Sequence, residues 1–149
     1  MEALRNRDVR AAVDGSFAFK GLGEAERDIL AAAATAVRYA DGEVILREDE
    51  EGLELLLVVA GRVRISMLAA NGDVELAELG PGAIVGEVSV LMENRRTSTV
   101  TAAGEVEAIS FVADAVRDVA AASPAFKELL LRLVESRAMH AISVVPPQR

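Results

Sequence analysis

The sequence predicts an α+β chain, mainly β, with antiparallel strands closed into a sandwich, roll or barrel and helical segments on either side. Three observations carry this. Short β-rich runs recur between residues 38 and 113, separated by turn dipeptides. Apolar residues at helical spacing precede that zone, and a longer helical stretch follows it. The 149 residues, 52% hydrophobic and 27% charged, suit one folded domain with one core. The expected organisation is a single domain over 1–149. It comprises an N-terminal helical segment over 1–37, a β zone over 38–113 and C-terminal helices over 114–145.

In the first segment, GLGEAERDILAAAATAV places Leu22, Ile29, Leu30, Ala33 and Val37 near one face at helical spacing. Before it, DGSFAFKGL reads as a turn anchoring Phe17 and Phe19. The strand-like runs are EVILR, LELLLVVAG, RVRISML, VELAEL, TSTVTAA and EVEAISF, with Asp41-Gly42 and Asn71-Gly72 as tight-turn dipeptides. Arg62, Arg64 and Ser66 alternate with Val63, Ile65 and Met67, so one face of that strand is wet. Ser123-Pro124 opens the last helix, with Ser able to cap and Pro suited to the first position. Phe126, Leu129, Leu130, Leu133, Val134, Ala138, Ala141 and Ile142 form its apolar stripe, and Pro146-Pro147 ends it. That stripe fits either packing onto the β zone or a dimer contact.

Composition excludes several classes. The net charge of −8, with no basic stripe, disfavours nucleic acid and anionic membranes. Aromatic residues at 3% leave almost no stacking platform for single strands. Without Cys there is no disulfide or thiolate chemistry, and with one His, His140, there is no His-rich metal site. The N-terminus lacks a signal-peptide core, and the longest apolar run, Leu55 to Ala60, is far shorter than a membrane span. A cytoplasmic protein with no metal and no cofactor is expected.

The stretch LGPGAIVGEVSVLMENRRTSTV, residues 79–100, carries the functional signal. It is not a dinucleotide fingerprint, because counting from Gly80 the third glycine position holds Val85. Nor is it a P-loop, because Gly86 is followed by Glu87. Gly86 can instead turn the backbone sharply, and Glu87 to Leu91 is long enough for one helical turn. Its first N–H groups, from Val88 and Ser89, can face an anion. Arg96, ten residues after Gly86, begins a strand that can return a guanidinium to the same anion. A lone Arg on a strand is ordinarily solvated; its spacing from Gly86-Glu87 is what singles out Arg96. Glu87 accepts hydrogen bonds and suits a sugar hydroxyl, although a carboxylate there can also serve the helix dipole alone.

The order Gly86-Glu87-x-Ser89-x-Leu91, then Arg96-Thr97-x-Thr99-Val100, resembles the phosphate-binding cassette of cyclic nucleotide-binding domains. LLLVVAGRVRI looks like that family's hairpin and ELGPGAIVGE like its approach to the cassette, and the resemblance covers about residues 17–143. It implies a jelly-roll-like antiparallel β-roll, with the cassette at 85–100, flanked by N-terminal helices and a longer C-terminal helix. It implies that Arg96 binds the exocyclic oxygens of a cyclic phosphate and that the Ser89 N–H meets the same group. Glu87 and the Gly86 backbone would hold the ribose 2′-hydroxyl, Val85 would line the sugar pocket, and Thr97 would offer its hydroxyl to guanine. Arg95 stands where the family often has Pro, Ser98 where it has Ala, and Asp49 in a turn where Gly is common.

The expected function is a sensor module. It binds cAMP or cGMP without catalysing a reaction and relays binding through its C-terminal helix, which is also the candidate surface for a homodimer. A nucleotide-independent scaffold on the same fold is the alternative. A cupin-like metalloenzyme is set aside because it needs two or three His ligands. Bacterial relatives often carry a helix-turn-helix after the long helix; this chain ends at Arg149, near where such a module would begin, so no DNA binding is expected of it. The run Glu48–Glu51 reads as a solvated acidic turn.

Overall fold

The computed structural model describes residues 6–16, 19–92 and 95–144; at 6–8, 88–89, 92 and 136–144 it describes the backbone alone. Two helices, α1 (Asn6–Gly15) and α2 (Glu24–Ala32), lead into strands β1 (Ala34–Tyr39), β2 (Val44–Leu46), β3 (Glu54–Ala69), β4 (Gly72–Leu79) and β5 (Ile84–Val85). A short helix, α3 (Glu87–Met92), precedes β6 (Thr99–Val112), and α4 (Ala113–Ala122) and α5 (Pro124–Val144) follow. All pairings are antiparallel. The sheet order is β1-β6-β3-β4, with β2 also on β6 and β5 also on β3.

This is the α+β, mainly β roll expected, with helices flanking the sheet. Its spine is two long strands, β3 and β6, paired from Glu54↔Val112 to Ser66↔Thr99. The hydrophobic run Leu55–Val58 is buried on both faces, which explains why it does not alternate with polar residues. Leu55 and Leu57 join the helical layer with Phe19, Leu30, Ile109, Phe111, Val116, Phe126 and Leu130. Leu56 and Val58 face the roll interior with Leu46, Val63, Ile65, Val85, Val100, Ala102, Val106 and Ala108. Phe19 is fully buried, edge-on to Phe111 with ring centres 5.6 Å apart. Phe17, its expected companion, lies outside the described residues.

Two local readings are corrected. Val37 is not on the α2 face: the helix ends at Ala32, and Val37 pairs with Ala108 in β1. The alanine-rich run favours helix intrinsically, but six residues of pairing with β6 override that preference. Ile29 is half exposed rather than on the buried face. The expected hairpin at LLLVVAGRVRI is also absent. Gly61 lies inside continuous β3, at a φ of 89° where the register against β6 shifts. A side chain at this position would overlap the Glu105 carbonyl oxygen, so the strand bends here rather than reversing.

Other expectations hold. Gly42 and Gly72 adopt positive φ at their tight turns. Arg62 and Arg64 are exposed while Val63 and Ile65 are buried. Ser123 caps α5, its Oγ accepting the Phe126 N–H at 3.3 Å. Phe126 and Leu130 are buried beneath α5. The side chains of Ala138, Ala141 and Ile142, and of His140, lie outside those described, as do Pro146 and Pro147.

Outside the core, α1 and α2 are braced by charge. Arg10 pairs with Asp14 and Asp28, and Arg27 pairs with Asp14 and caps the Leu22 carbonyl. The hydrogen bond from Arg10 is the main reason the Asp14 carboxyl is held below its ordinary range, with Arg27 adding to it. A depressed carboxylate stabilises the fold above its unfolded value and loses that contribution as pH falls through the folded value. Lowering pH below the ordinary carboxylate range should therefore lower the melting temperature less in Asp14→Asn than in wild type. Parallel pH profiles for the two proteins would contradict this. In the core, Phe111→Ala should cost about 3–5 kcal/mol in urea unfolding, by cavity formation.

Candidate functional site

The stretches Ala83–Leu91 and Arg95–Thr97 carry the predicted residues. Val85 pairs with Leu56, and Ile84 with Leu57, which ties the approach to β3. Gly86 then takes a φ of 90° and releases the chain into α3. Its conformation and its neighbours both demand glycine. A Cβ here would lie 2.5 Å from Arg96 Nη1 and 2.9 Å from the Glu54 carbonyl oxygen. α3 begins at Glu87, and the Val90 N–H closes its first turn on the Gly86 carbonyl at 3.3 Å. The amides ahead of Val90, including those of Val88 and Ser89, belong to the first turn and have no acceptor within the helix.

The Arg-Arg pair is split between solvent and interior. Arg95 is exposed and donates to the Asp49 carbonyl at 2.8 Å. Arg96 is only 6% exposed. Its Nη1 donates to the Gly86 carbonyl at 3.3 Å and its Nη2 to the Glu54 carbonyl at 2.9 Å. Burial pushes the guanidinium below its ordinary value, and the carboxylates of Glu54, Glu87 and Glu50 push it back up. Glu87 is 1% exposed, an unusual burial for a carboxylate and one that places it among the groups acting on Arg96. Val85, Gly86, Glu87 and Arg96 are thus brought together, with Val88 and Ser89 in the first turn of α3. Thr97 is exposed, at a bend after Arg96. The strand expected to begin at Arg96 begins at Thr99.

Three contributors were not singled out by the sequence. The acidic run Glu48–Glu51 is more than a solvated turn. Asp49 adopts a φ of 72°, the left-handed conformation that explains why glycine suits this turn. The Asp49 N–H donates to the Arg96 carbonyl at 2.8 Å, and the Arg96 N–H donates to the Glu50 carbonyl at 2.7 Å, fixing the backbone beneath the guanidinium. Glu54 receives Arg96 through its carbonyl and the Ser110 hydroxyl through its carboxylate. Its position in LELLL, two residues before Leu56 on the face turned into the roll, was the available signal. Arg117 in α4 donates from Nε to the Val90 carbonyl of α3 at 2.8 Å. Among the described residues no group of His, Asp and Glu could hold a metal ion, and no helix is long and apolar enough to cross a membrane.

The site is thus a buried arginine facing a glycine-opened helical turn, beside a buried carboxylate, on an antiparallel roll. The family model of the cyclic nucleotide-binding domain matches residues 36–123. The chain belongs to the cyclic nucleotide-binding domain family. It is 34% identical over 102 residues to a CRP-like cAMP-activated global transcriptional regulator of Mycobacterium tuberculosis, covering 68% of this chain and 46% of that one. It is 30% identical over 131 residues to the acetyltransferase Pat of Mycolicibacterium smegmatis, covering 87% and 39%. The chain therefore spans less than half the length of these curated relatives. Among solved structures, the Thermus thermophilus catabolite activator protein superposes with a TM-score of 0.71 at 28% identity, covering 83% and 59%. In fold, the regulatory subunit of a cAMP-independent protein kinase A from Trypanosoma brucei matches with a TM-score of 0.80 at 22% identity, covering 88% and 47%.

Gly86→Ala should destabilise the protein by about 1–3 kcal/mol, and more than Gly82→Ala does. Gly82 also has a positive φ of 93°, but nothing lies within 4 Å of its added Cβ. Thermal melts of the two variants test the contact with Arg96; equal losses would assign the whole effect to backbone conformation.

Proposed function

We propose that residues 1–149 form one cyclic nucleotide-binding domain, a sensor module that binds a cyclic mononucleotide, cAMP or cGMP, and passes binding to its C-terminal helix. The observation that carries this is the buried Arg96, held against Gly86 at the mouth of α3 beside buried Glu87. Arg96 binds the exocyclic oxygens of the cyclic phosphate, with the Ser89 and neighbouring amides of α3 as further donors. Glu87 and the Gly86 backbone take the ribose 2′-hydroxyl, and Val85 packs on the sugar. Thr97, exposed beside Arg96, is available to a guanine and leaves cGMP open as the ligand. cAMP is favoured by the relatives, since the Mycobacterium tuberculosis regulator is described as cAMP-activated.

The chemistry proposed is recognition alone, in a cytoplasmic protein that contacts neither nucleic acid nor membrane through this domain. α3 packs against both α4 and α5, so a ligand that orders α3 can shift the population of α5 positions. α5 is also the candidate homodimer surface. The scaffold reading keeps one support: the fold likeness extends to the regulatory subunit of a protein kinase A described as cAMP-independent, so the roll alone does not dictate a ligand.

Titration calorimetry with cAMP and cGMP tests the assignment. Arg96→Ala should weaken binding by about 2–5 kcal/mol, through loss of a charge-assisted contact in a sheltered site. Equal affinities for wild type and variant would remove Arg96 from the site. Wild type that neither binds nor gains thermal stability at millimolar cAMP or cGMP would leave the scaffold.

A further inference from the structure

Glu54 has no role in the phosphate contacts proposed above, yet its backbone and its carboxylate are both bound into their surroundings. It opens β3, and its side chain follows Leu56 and Val58 toward the roll interior rather than Leu55 and Leu57 toward the helices. It is part-buried, and the Ser110 hydroxyl donates to its Oε2. Ser110 stands opposite Leu56 in β6, so the tether spans the two central strands and fixes the carboxylate in place. The backbone carbonyl of the same residue accepts Arg96 Nη2 at 2.9 Å. The carboxylate is thus fixed within one side chain's length of the guanidinium. Its field is felt by Arg96 and also by Tyr39, whose phenol is pushed up by burial first and by Glu54 and Glu43 after it.

A solvated surface carboxylate would be screened from Arg96. A tethered, part-buried one is screened much less, and it acts on any anion that Arg96 receives. Coulomb repulsion scales with the charge of that anion. A cyclic nucleotide is a phosphodiester with one negative charge; the open 5′-monophosphate is a monoester with close to two at pH 8.

We propose that Glu54 is a specificity-determining residue, a charge filter that selects the monoanionic cyclic phosphodiester over the dianionic open monoester. The proposal rests on cyclic-nucleotide binding at Arg96. It predicts that removing the charge strengthens binding of both ligands and the monoester more strongly.

The test is calorimetry at pH 8 of wild type, Glu54→Gln, Glu54→Asn and Ser110→Ala. The ligands are cAMP against 5′-AMP, and cGMP against 5′-GMP. Glu54→Gln keeps an acceptor for Ser110 and should tighten the cyclic nucleotide by about tenfold and its monoester by about a hundredfold, because the repulsion doubles with the charge. Glu54→Asn should show the same ordering if the glutamine variant does not fold. Ser110→Ala keeps the charge but frees it from its tether, and should relax the preference for the diester only in part, by less than Glu54→Gln does. Equal changes for diester and monoester, or a Ser110→Ala variant that reproduces the Glu54→Gln ratio, would assign Glu54 a structural part only and overturn the filter. Wild type that binds cyclic nucleotide with an unaltered preference in Glu54→Gln removes this inference alone. Absence of binding in every protein removes the sensor reading with it.

Discussion

The Arg96 guanidinium keeps its charge at any physiological pH, and burying it to 6% exposure removes most of its hydration. The surrounding structure is organised to replace that water. Two carbonyls, of Gly86 and Glu54, accept from its two terminal nitrogens, and three carboxylates contribute favourable field. Those partners come from two separate segments, at 50–54 and 86–87, and each is held by a different element. β3 begins where Glu54 must present its carbonyl, the β3–β5 pairing carries Gly86 into reach, and the turn at 49–51 clamps the Arg96 backbone. The positive φ of Gly86 is the tightest of these conditions, because the guanidinium occupies the space where any other residue would carry its side chain.

This arrangement explains which features could be read along the chain and which could not. Gly86, Glu87 and Arg96 lie within eleven residues, so their types and spacing expose a turn, a short helix and a returning cation. The start of α5 at Ser123-Pro124 is equally local, a cap whose hydrogen bond spans three residues. Partners supplied by distant strands leave no such trace. The part of Glu54 depends on which way β3 faces at its first residue, and that of the acidic turn depends on backbone hydrogen bonds, which any side chains could accompany. Arg117 is one more arginine on an amphipathic helix until α3 is packed beside it. Val37 and Gly61 differ from expectation for the same reason: helical spacing and a hairpin resemblance are local features, and pairing with β6 decided both.

The two faces of the sheet divide the labour. The roll interior is lined by Leu46, Leu56, Val58, Val85 and Ala108, and polar groups enter that surface at Glu54, Ser110 and the cassette. An apolar wall lowers the local dielectric, so the few charges set into it interact more strongly than they would in water. The opposite face is dry and packed, with Phe19, Phe111 and Phe126 joining the helices to β6.

α3 is the element that belongs to both sides. Glu87, at its start, acts on the buried guanidinium, whereas Val90, one turn later, is fully buried within the helical layer. Arg117 ties the Val90 carbonyl to α4, and Ser123 then joins α4 to α5 within one residue. A six-residue helix has too little internal hydrogen bonding to hold its own shape against such neighbours. Its position is therefore set by the balance of contacts at its two ends. Anything that changes the contacts of Gly86 and Glu87 redistributes that balance toward Val90 and Arg117. In the sensor reading proposed above, the shortness of α3 would couple the cradle to the C-terminal helices, since a longer helix with its own stability would stand still while its first turn was occupied.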